Sequence, residues 1–481
     1  MKTPHVAHRD TNAPCRPGRR MRHRSGLRGV CMLMTATLLA GCSDVSHIGH
    51  SLFGKTTPIV TGYIGTVVAD EPRAALVGRD VLVHGGNAAD AAAAVGMALA
   101  VTLPSRASLG GGGACLVRRQ GEAPQAFSFL PAASATDASS PLPATRPAAM
   151  PMTPRGLFTM QLRYGSVEFA DLIGPSVQLA RSGATVSRVL AQDIAAVHTA
   201  LFADEAARTV FARADGTPLQ NGDALIQPRL ASFLERMGNV GVGDLYNGAL
   251  GGIFVEGANR AGGGLDRASL RKALPIQSAP LRLARDGVTA YFLPPPADGG
   301  LGAAAAFNGD GSAQGAVALW RQEARAGLSS EALLAAARTL VTQGGAKGGV
   351  LPPLPASTSF VVTDRQGGMV ACALTDNNLF GTGRMAVGTG VLLAAAPGRY
   401  PAPLLSAALL MRRNTPVAAL ASSGQNDAAD ALARAARAVL AHSALPRDGE
   451  GRVNASLCDG DTCHGETDPR GGGLSVGSFN N

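Results

Sequence analysis

Aromatic residues and charges are both scarce in this sequence. Only 4% of the residues are Phe, Trp or Tyr and only 16% are charged, whereas 46% are hydrophobic. So few aromatic side chains argue against a surface that binds sugars or nucleobases by stacking. Low charge with high hydrophobic content excludes an intrinsically disordered chain. Because the chain has 481 residues, it can bury a large core, as one large domain or two closely packed ones.

Most of the positive charge lies at the N-terminus. The net charge is +9, but residues 1–41 contain eight Lys or Arg side chains and a single acid, Asp10. The rest of the chain therefore carries a net charge of only +2. A basic surface for nucleic acid needs its charge on the folded domain, so we expect no nucleic-acid partner.

Residues 1–41 are typical of a secretory signal peptide, with an Arg-rich start, an apolar run at 30–39 and small residues before a cysteine. The apolar run is too short for a permanent transmembrane helix. The ending Leu39-Ala40-Gly41-Cys42 resembles a bacterial lipobox, in which the cysteine is acylated. We therefore expect an exported protein with a lipid on Cys42, a polar tether at 42–58 and, because Ser43 follows, an outer-membrane location facing the periplasm. Translation can start at Met1 or at Met21.

Four cysteines remain beyond the leader. Cys115 and Cys372 lie in apolar runs and are predicted to be buried thiols. Cys458 and Cys463 are predicted to close a small disulfide loop in an oxidising compartment. His464 adds a third donor but no fourth, so we predict no metal site.

Residues 49–56 match the phosphate-loop pattern G-x-x-x-x-G-K-T. Such a loop needs a buried strand before it and a helix after it, but a polar stretch precedes this one and Pro58 follows. The sequence therefore predicts no nucleotide and no other cofactor.

The first folded elements are a predicted strand at 63–68 and a buried Ala-rich helix at 87–103, which Asn87 caps together with Asp90. Four glycines at 110–113 then lead into a strand. Residues 154–340 are predicted to be mainly helical, and residues 344–356 form a Gly/Pro-rich stretch that is typical of an exposed connector.

A β-hairpin is predicted directly after this connector. Strands at 357–363 and 369–375 flank a five-residue turn, and the register pairs Ser357 with Thr375. Two positions further on, Asn377 is expected on the same face. A hydroxyl at a strand start after a flexible linker suits an N-terminal nucleophile, whose own α-amino group becomes the general base once the preceding bond is cut.

Five sequence motifs follow one another in order, at 83–92, 110–113, 163–176, 294–300 and 380–383. The first is Val-His-Gly-Gly-Asn-Ala-Ala-Asp-Ala-Ala and the last is Phe-Gly-Thr-Gly. Together they resemble the motifs of the γ-glutamyltranspeptidase family of N-terminal-nucleophile hydrolases, and the resemblance covers residues 65–424. The fold that this resemblance implies is α+β, a four-layer αββα sandwich with two antiparallel sheets between helices.

The resemblance also implies catalytic roles. Ser357 takes the place of the family's threonine nucleophile, and self-cleavage between Ala356 and Ser357 would separate a large-subunit region, 59–356, from a small-subunit region, 357–481, as a heterodimer. Thr375 becomes the hydrogen-bonding neighbour of the nucleophile. Gly424 becomes a backbone donor of the oxyanion hole.

Substrate contacts are implied for Asn377, Ser406 and Ser423. The family's arginine for the γ-glutamyl carboxylate belongs near residues 129–130, where this chain has Phe-Leu, and its acidic residue for the amino group belongs near Arg399. Both halves of the family's clamp for a zwitterion are therefore missing.

Two classes of function remain. The first is a self-processed amidohydrolase or acyltransferase that acts on a small-molecule amide, either γ-glutamyl (glutathione-like) or another N-acyl compound, through an acyl-enzyme. The second is a catalytically inactive family member that serves as an envelope binding or structural lipoprotein.

Overall fold

The computed structural model describes residues 62–134, 145–323, 327–342 and 349–480. The predicted signal peptide, the lipidation site Cys42, the tether and the phosphate-loop pattern lie outside these residues. Within the described ranges, no helix is both long enough and apolar enough to cross a membrane.

Strands and helices alternate irregularly along the chain. The strands are β1 (Gly62–Ala69), β2 (Gly112–Arg118), β3 (Gln125–Phe129), β4 (Ala184–Thr185), β5 (Ala224–Leu225), β6 (Ile276–Ser278), β7 (Leu281–Arg285), β8 (Val288–Phe292), β9 (Thr358–Asp364), β10 (Met369–Thr375), β11 (Ser406–Arg412), β12 (Thr415–Ser423), β13 (Arg452–Asp459), β14 (Thr462–Glu466) and β15 (Leu474–Asn480). The helices are α1 (Pro72–Val83), α2 (Ala88–Thr102), α3 (Thr153–Tyr164), α4 (Phe169–Ser182), α5 (Arg188–Leu201), α6 (Glu205–Phe211), α7 (Pro228–Val240), α8 (Gly243–Asn247), α9 (Ala249–Arg260), α10 (Arg267–Lys272), α11 (Asp298–Asn308), α12 (Ala313–Gln322), α13 (Ser330–Thr342) and α14 (Ala428–Leu440).

Two antiparallel sheets stack face to face. The first has the order β15-β1-β9-β10-β2-β3-β6 and the second the order β14-β13-β12-β11-β8-β7. Val361 and Leu409 belong to an apolar cluster between the sheets. Their neighbours point the other way: Phe360 packs with the helices that cover the first sheet, and Leu410 packs with the helices that cover the second. Side chains of each strand thus alternate between an inner and an outer face. This arrangement confirms the predicted four-layer αββα fold.

Helix α2 confirms the prediction for its region. The Asn87 side chain accepts hydrogen bonds from the backbone of Ala89 and Asp90, and the Asp90 carboxylate accepts one from the Asn87 backbone. This capping box satisfies N–H groups that the first helical turn cannot satisfy internally. All residues of the helix are buried, as expected from apolar residues on every side of it.

Asn87→Ala is expected to lower the free energy of unfolding by about 1–2 kcal/mol, because it removes the cap acceptor. The Asn87 side-chain amide also donates to the Tyr164 carbonyl, and this bond is lost as well. Urea unfolding monitored by circular dichroism measures the change. Asn87→Ser keeps a cap acceptor without adding a charge beside Asp90 and is expected to recover part of the loss, while the bond to Tyr164 stays lost. Equal stabilities of Asn87→Ala and the wild type would contradict the assignment.

The hairpin follows the predicted register. The pairs run from Thr363 opposite Met369 to Thr358 opposite Leu374. Ser357 lies one residue before β9, and continuation of this register would place it opposite Thr375. By strand alternation, Ser357 and Thr375 both belong to the face between the sheets.

Two sequence-based expectations are wrong. Cys115 and Cys372 are not free thiols but form a disulfide, because β2 and β10 pair with these residues directly opposite each other, 4.1 Å apart at Cα. The described end of the connector is not fully exposed, since Leu351 and Leu354 are buried against the second helical layer. The stretch at 154–340 is mainly helical as predicted, with three short strands at 276–292 that were not predicted. The predicted disulfide between Cys458 and Cys463 is present.

Candidate active site

A cleft of about 350 Å³ opens at the start of β9, a volume sufficient for a small molecule. The residues of its lining that bear on chemistry are Ala356, Ser357, Gly424, Arg106, Arg452 and Arg470. The predicted nucleophile, the preceding residue and the predicted oxyanion donor thus lie together. Ser357 itself is only 1% exposed, so it forms part of the cleft floor.

Thr375 contacts the bond that is predicted to be cut. Its hydroxyl donates a hydrogen bond to the carbonyl oxygen of Ala356, at 3.2 Å, and accepts one from the backbone N–H of Asn377. A donor on this oxygen polarises the carbonyl that Ser357 would attack. The hydrogen-bonding position expected for Thr375 is therefore occupied in the uncut chain.

Asn377 does not return to the face of Ser357 as strand alternation suggested. Strand β10 ends at Thr375, and Asn377 adopts a left-handed conformation with φ of 57°. Its side-chain amide donates to the carbonyl of Ala395. The two-residue period applies only while the chain stays extended, and the chain leaves the strand conformation directly after Thr375.

Gly424 follows β12 with φ of 116°, a conformation that favours glycine. A Cβ at this position would lie 2.7 Å from the Glu450 carbonyl oxygen and 2.7 Å from the Gly451 Cα. The backbone can therefore turn into the cleft only because residue 424 has no side chain.

The two serines expected to contact substrate do not line the cleft. Ser423 donates its hydroxyl to Asp70. Ser406 lies on the outer face of β11 and packs against Gly299 at the start of α11. A Cβ added to Gly299 would lie 2.6 Å from the Ser406 Oγ. This Oγ is buried without a hydrogen-bond partner among the described residues. Alternation along β11 and β12 thus points these side chains to different layers.

Asp70 organises the nucleophile strand, a role that was not predicted from the sequence. One carboxylate oxygen accepts hydrogen bonds from the Thr358 hydroxyl, the Ser359 N–H and the Ser423 hydroxyl, at 3.0 to 3.1 Å. The other accepts one from the Asn454 amide at 2.8 Å. Asp70 therefore joins the two sheets beside Ser357. Its position two residues after the first predicted strand was the only available signal.

The arginines of the cleft differ in their partners. Arg106 forms a two-pronged ion pair with Asp193, with N···O distances of 2.7 and 2.8 Å. Burial works to lower the pKa of Arg106, but the hydrogen bonds and the charge of Asp193 outweigh it, so the pKa is raised. Arg470 pairs with Asp468, and Arg452 forms no hydrogen bond or ion pair with any described residue.

Asp376 is a fully buried carboxyl group between Thr375 and Asn377. One of its oxygens accepts hydrogen bonds from the backbone N–H and the hydroxyl of Ser108, and its other oxygen has no partner within the described residues. Burial raises the pKa of Asp376 to about 7 despite these two bonds. A Cβ on Gly111 would lie 2.2 Å from this carboxylate, so the glycine run makes room for it.

No group of His, Cys, Asp and Glu side chains in the described ranges is arranged to hold a metal ion. The site's chemical groups are hydroxyls, backbone amides, carboxylates and arginines. Such a set can form a covalent acyl intermediate and stabilise its oxyanion.

Comparison with known proteins identifies relatives of this chain. The family model described as gamma-glutamyltranspeptidase matches residues 74–311, about half of the chain. The glutathione hydrolase proenzyme of Escherichia coli is 28% identical over 68% of this chain and 65% of its own length. Glutathione hydrolase 3 of Arabidopsis thaliana is 30% identical over 54% of this chain and 42% of its own length.

The similarity in fold extends further along the chain. The crystal structure of cephalosporin acylase from Bacillus halodurans superposes with a TM-score of 0.72 at 18% identity, over 88% of this chain and 97% of that one. At that identity the match shows the fold alone. The family model, the relatives and the αββα sandwich agree with the motifs read from the sequence. The chain is a divergent member of the γ-glutamyltranspeptidase family.

Proposed function

We propose that the chain cuts itself between Ala356 and Ser357 and then acts as an amidohydrolase or acyltransferase with Ser357 as nucleophile. The observation that carries this proposal is the placement of Ser357 at the floor of a cleft, with the Thr375 hydroxyl on the carbonyl oxygen of Ala356. Family membership supports the same chemistry, because the relatives are named as proenzymes of glutathione hydrolases.

Self-cleavage would begin with attack of the Ser357 Oγ on the Ala356 carbonyl carbon. The C–N bond breaks and an ester forms, while the Ser357 nitrogen becomes a free amine. Water then hydrolyses the ester to give the Ala356 carboxylate and restores the Ser357 hydroxyl. The Thr375 hydroxyl donates to the oxygen that becomes negative in the first step.

The processed site would use the new α-amino group as general base. It takes the proton of the Ser357 hydroxyl as Oγ attacks a substrate amide and returns it to the leaving amine. The acyl-enzyme is then released to water or to an acceptor amine. The backbone around Gly424, which lines the same cleft, is the candidate donor to the oxyanion.

Glutathione-like γ-glutamyl compounds are the first substrates to test, because the relatives carry that name. The substrate range extends to other N-acyl compounds because neither Phe129 nor Arg399 replaces the missing clamp. Phe129 is buried in the core, and Arg399 does not line the cleft.

Trapping the acyl-enzyme tests the proposal. Purified protein is mixed with γ-glutamyl-p-nitroanilide, and in parallel with simple acyl-p-nitroanilides. The reaction is quenched in acid, and the intact mass of each chain is measured by mass spectrometry. We expect the chain that begins at Ser357 to gain the mass of one acyl group with at least one substrate. An unmodified chain throughout, without nitroaniline release, would instead support an inactive binding or structural role.

Thr375→Val is expected to slow self-cleavage about 100-fold, the typical cost of losing one oxyanion donor. Valine keeps the shape of threonine but cannot donate to the Ala356 carbonyl. The rate is measured as the loss of full-length chain on denaturing gels after synthesis. Thr375→Ser retains a hydroxyl and is the matched control. Unchanged cleavage in Thr375→Val would remove Thr375 from the mechanism.

We also propose export and lipid attachment at Cys42, with the folded part in the periplasm. The two disulfides, Cys115–Cys372 and Cys458–Cys463, support an oxidising compartment. Metabolic labelling with palmitate tests this proposal. Wild-type protein should carry the label and Cys42→Ser should not, whereas labelling of both would place the lipid elsewhere.

A further inference from the structure

We propose that Arg452 determines acyl-group specificity, by binding a carboxylate carried at the far end of the acyl chain that Ser357 attacks. This inference rests on the proposed amidase function. The substrate class is a dicarboxylic acid linked as an amide through one of its two carboxyl groups.

The other two arginines of the cleft already have partners. Arg106 is held by both oxygens of Asp193. Arg470 is held by Asp468 and also donates to the carbonyl of Gly451. Their positive charges are therefore largely neutralised within the protein.

Arg452 is different because it makes no hydrogen bond or ion pair with any residue in the described ranges. It is half-buried and lines the same cleft as Ser357. A partly desolvated guanidinium with five free donors is the group that best matches a carboxylate, which it can bind through two parallel hydrogen bonds.

The sheet register places Arg452 on the correct side. It begins β13 and lies opposite Ser423, the residue before Gly424. Alternation along β13 puts Arg452 on the same face as Asn454, which reaches between the sheets to Asp70 and Ser359. A carboxylate bound by Arg452 would therefore sit beside the candidate oxyanion donor, on the same side as the nucleophile strand.

Asp468 interacts electrostatically with Arg452, but both of its carboxylate oxygens accept hydrogen bonds from Arg470. Glu450 is the other negative charge, and it lines the cleft. Its side chain is exposed, so solvent screens its repulsion of a bound carboxylate, whereas the half-buried Arg452 is less screened. The attraction of Arg452 is expected to dominate. The carboxylate subsite would thus come from β13, and not from the neighbourhood of Phe129 or Arg399.

Two p-nitroanilides with five-carbon acyl groups test this assignment. Glutaryl-p-nitroanilide ends in a carboxylate and valeryl-p-nitroanilide ends in a methyl group. We expect wild-type kcat/KM to favour the glutaryl compound. Arg452→Gln should lower glutaryl kcat/KM about 10- to 100-fold, the range for losing a hydrogen bond to a charged group, and change the valeryl value less than about 3-fold.

Arg282→Gln is the matched control. Arg282 is exposed on β7, at the other end of the second sheet, and its replacement changes the net charge equally. It should keep the wild-type preference. Equal losses on both substrates in Arg452→Gln, or an unchanged preference, would overturn the role of Arg452.

Glutarate binding separates this inference from the proposed function. Isothermal titration calorimetry on the same three proteins should show glutarate binding weakened at least about 10-fold only by Arg452→Gln. If no amide is turned over but this pattern holds, the amidase function fails and the carboxylate site stands. If amides are turned over but Arg452→Gln binds glutarate like the wild type, the inference fails and the amidase function stands.

Discussion

Ser357→Ala is expected to leave a single uncut chain and to lower amide hydrolysis at least about 10⁴-fold, as loss of a nucleophile does in other hydrolases. The reason is that one hydroxyl serves twice, first against the Ala356 carbonyl and then against the substrate. Alanine removes Oγ and leaves the buried backbone unchanged. Nitroaniline release and denaturing gels measure the two effects.

Two further variants make this result specific. Ser357→Thr keeps a hydroxyl nucleophile and should retain cleavage and activity. Ser232→Ala removes an exposed hydroxyl on α7, outside the cleft lining, and should behave as the wild type. Cleavage of the Ser357→Ala chain at the same bond would mean that another group or a protease cuts it.

Asp376→Asn is expected to stabilise the protein at pH 8 and to have little effect on stability at pH 4. Burial raises the pKa of Asp376 from 3.8 to about 7 in the folded protein. Between these values the folded state keeps a proton that the unfolded state has lost, so wild-type stability falls as the pH rises from about 4 to about 7. At 1.36 kcal/mol per pKa unit, the full penalty above pH 7 is about 4 kcal/mol.

Asparagine removes this penalty because it stays neutral at every pH. It can still accept the two hydrogen bonds from Ser108. Urea unfolding at pH 4, 6 and 8 should therefore give a gap between variant and wild type that widens with pH. Asp310→Asn, at an exposed carboxylate, is the control and should show no such widening. A constant gap would mean that Asp376 does not titrate in this range.

Local sequence signals predicted the elements that hold the nucleophile. The short turn after Thr363 fixed the register of the hairpin, because in a hairpin the loop length determines which residues oppose each other. Likewise, Asn87 and Asp90 marked the start of α2. In both cases every interacting residue lies within a few positions along the chain.

Contacts between distant segments could not be predicted in this way. Cys115 and Cys372 pair only because β2 lies beside β10, a strand order that neither segment encodes alone. Asp70 reaches Asn454 across 384 positions and across two sheets. Strands β7 and β8, by contrast, pair with each other across the two-residue turn Asp286-Gly287, so this hairpin had a local signal that the prediction of a helical stretch overlooked. Only the pairing of β8 with β11 depends on a segment more than one hundred residues further on. Such neighbours are set by the overall topology.

The self-cleavage of the wild-type chain is the most direct test of the account. Residues 43–481, which omit the proposed lipidation site Cys42, are expressed and purified. The intact mass of the denatured protein is measured by mass spectrometry, and the new N-terminus is sequenced. We expect two chains, one that ends at Ala356 and one that begins at Ser357. A single uncut chain, or a cut at any other bond, would contradict the account.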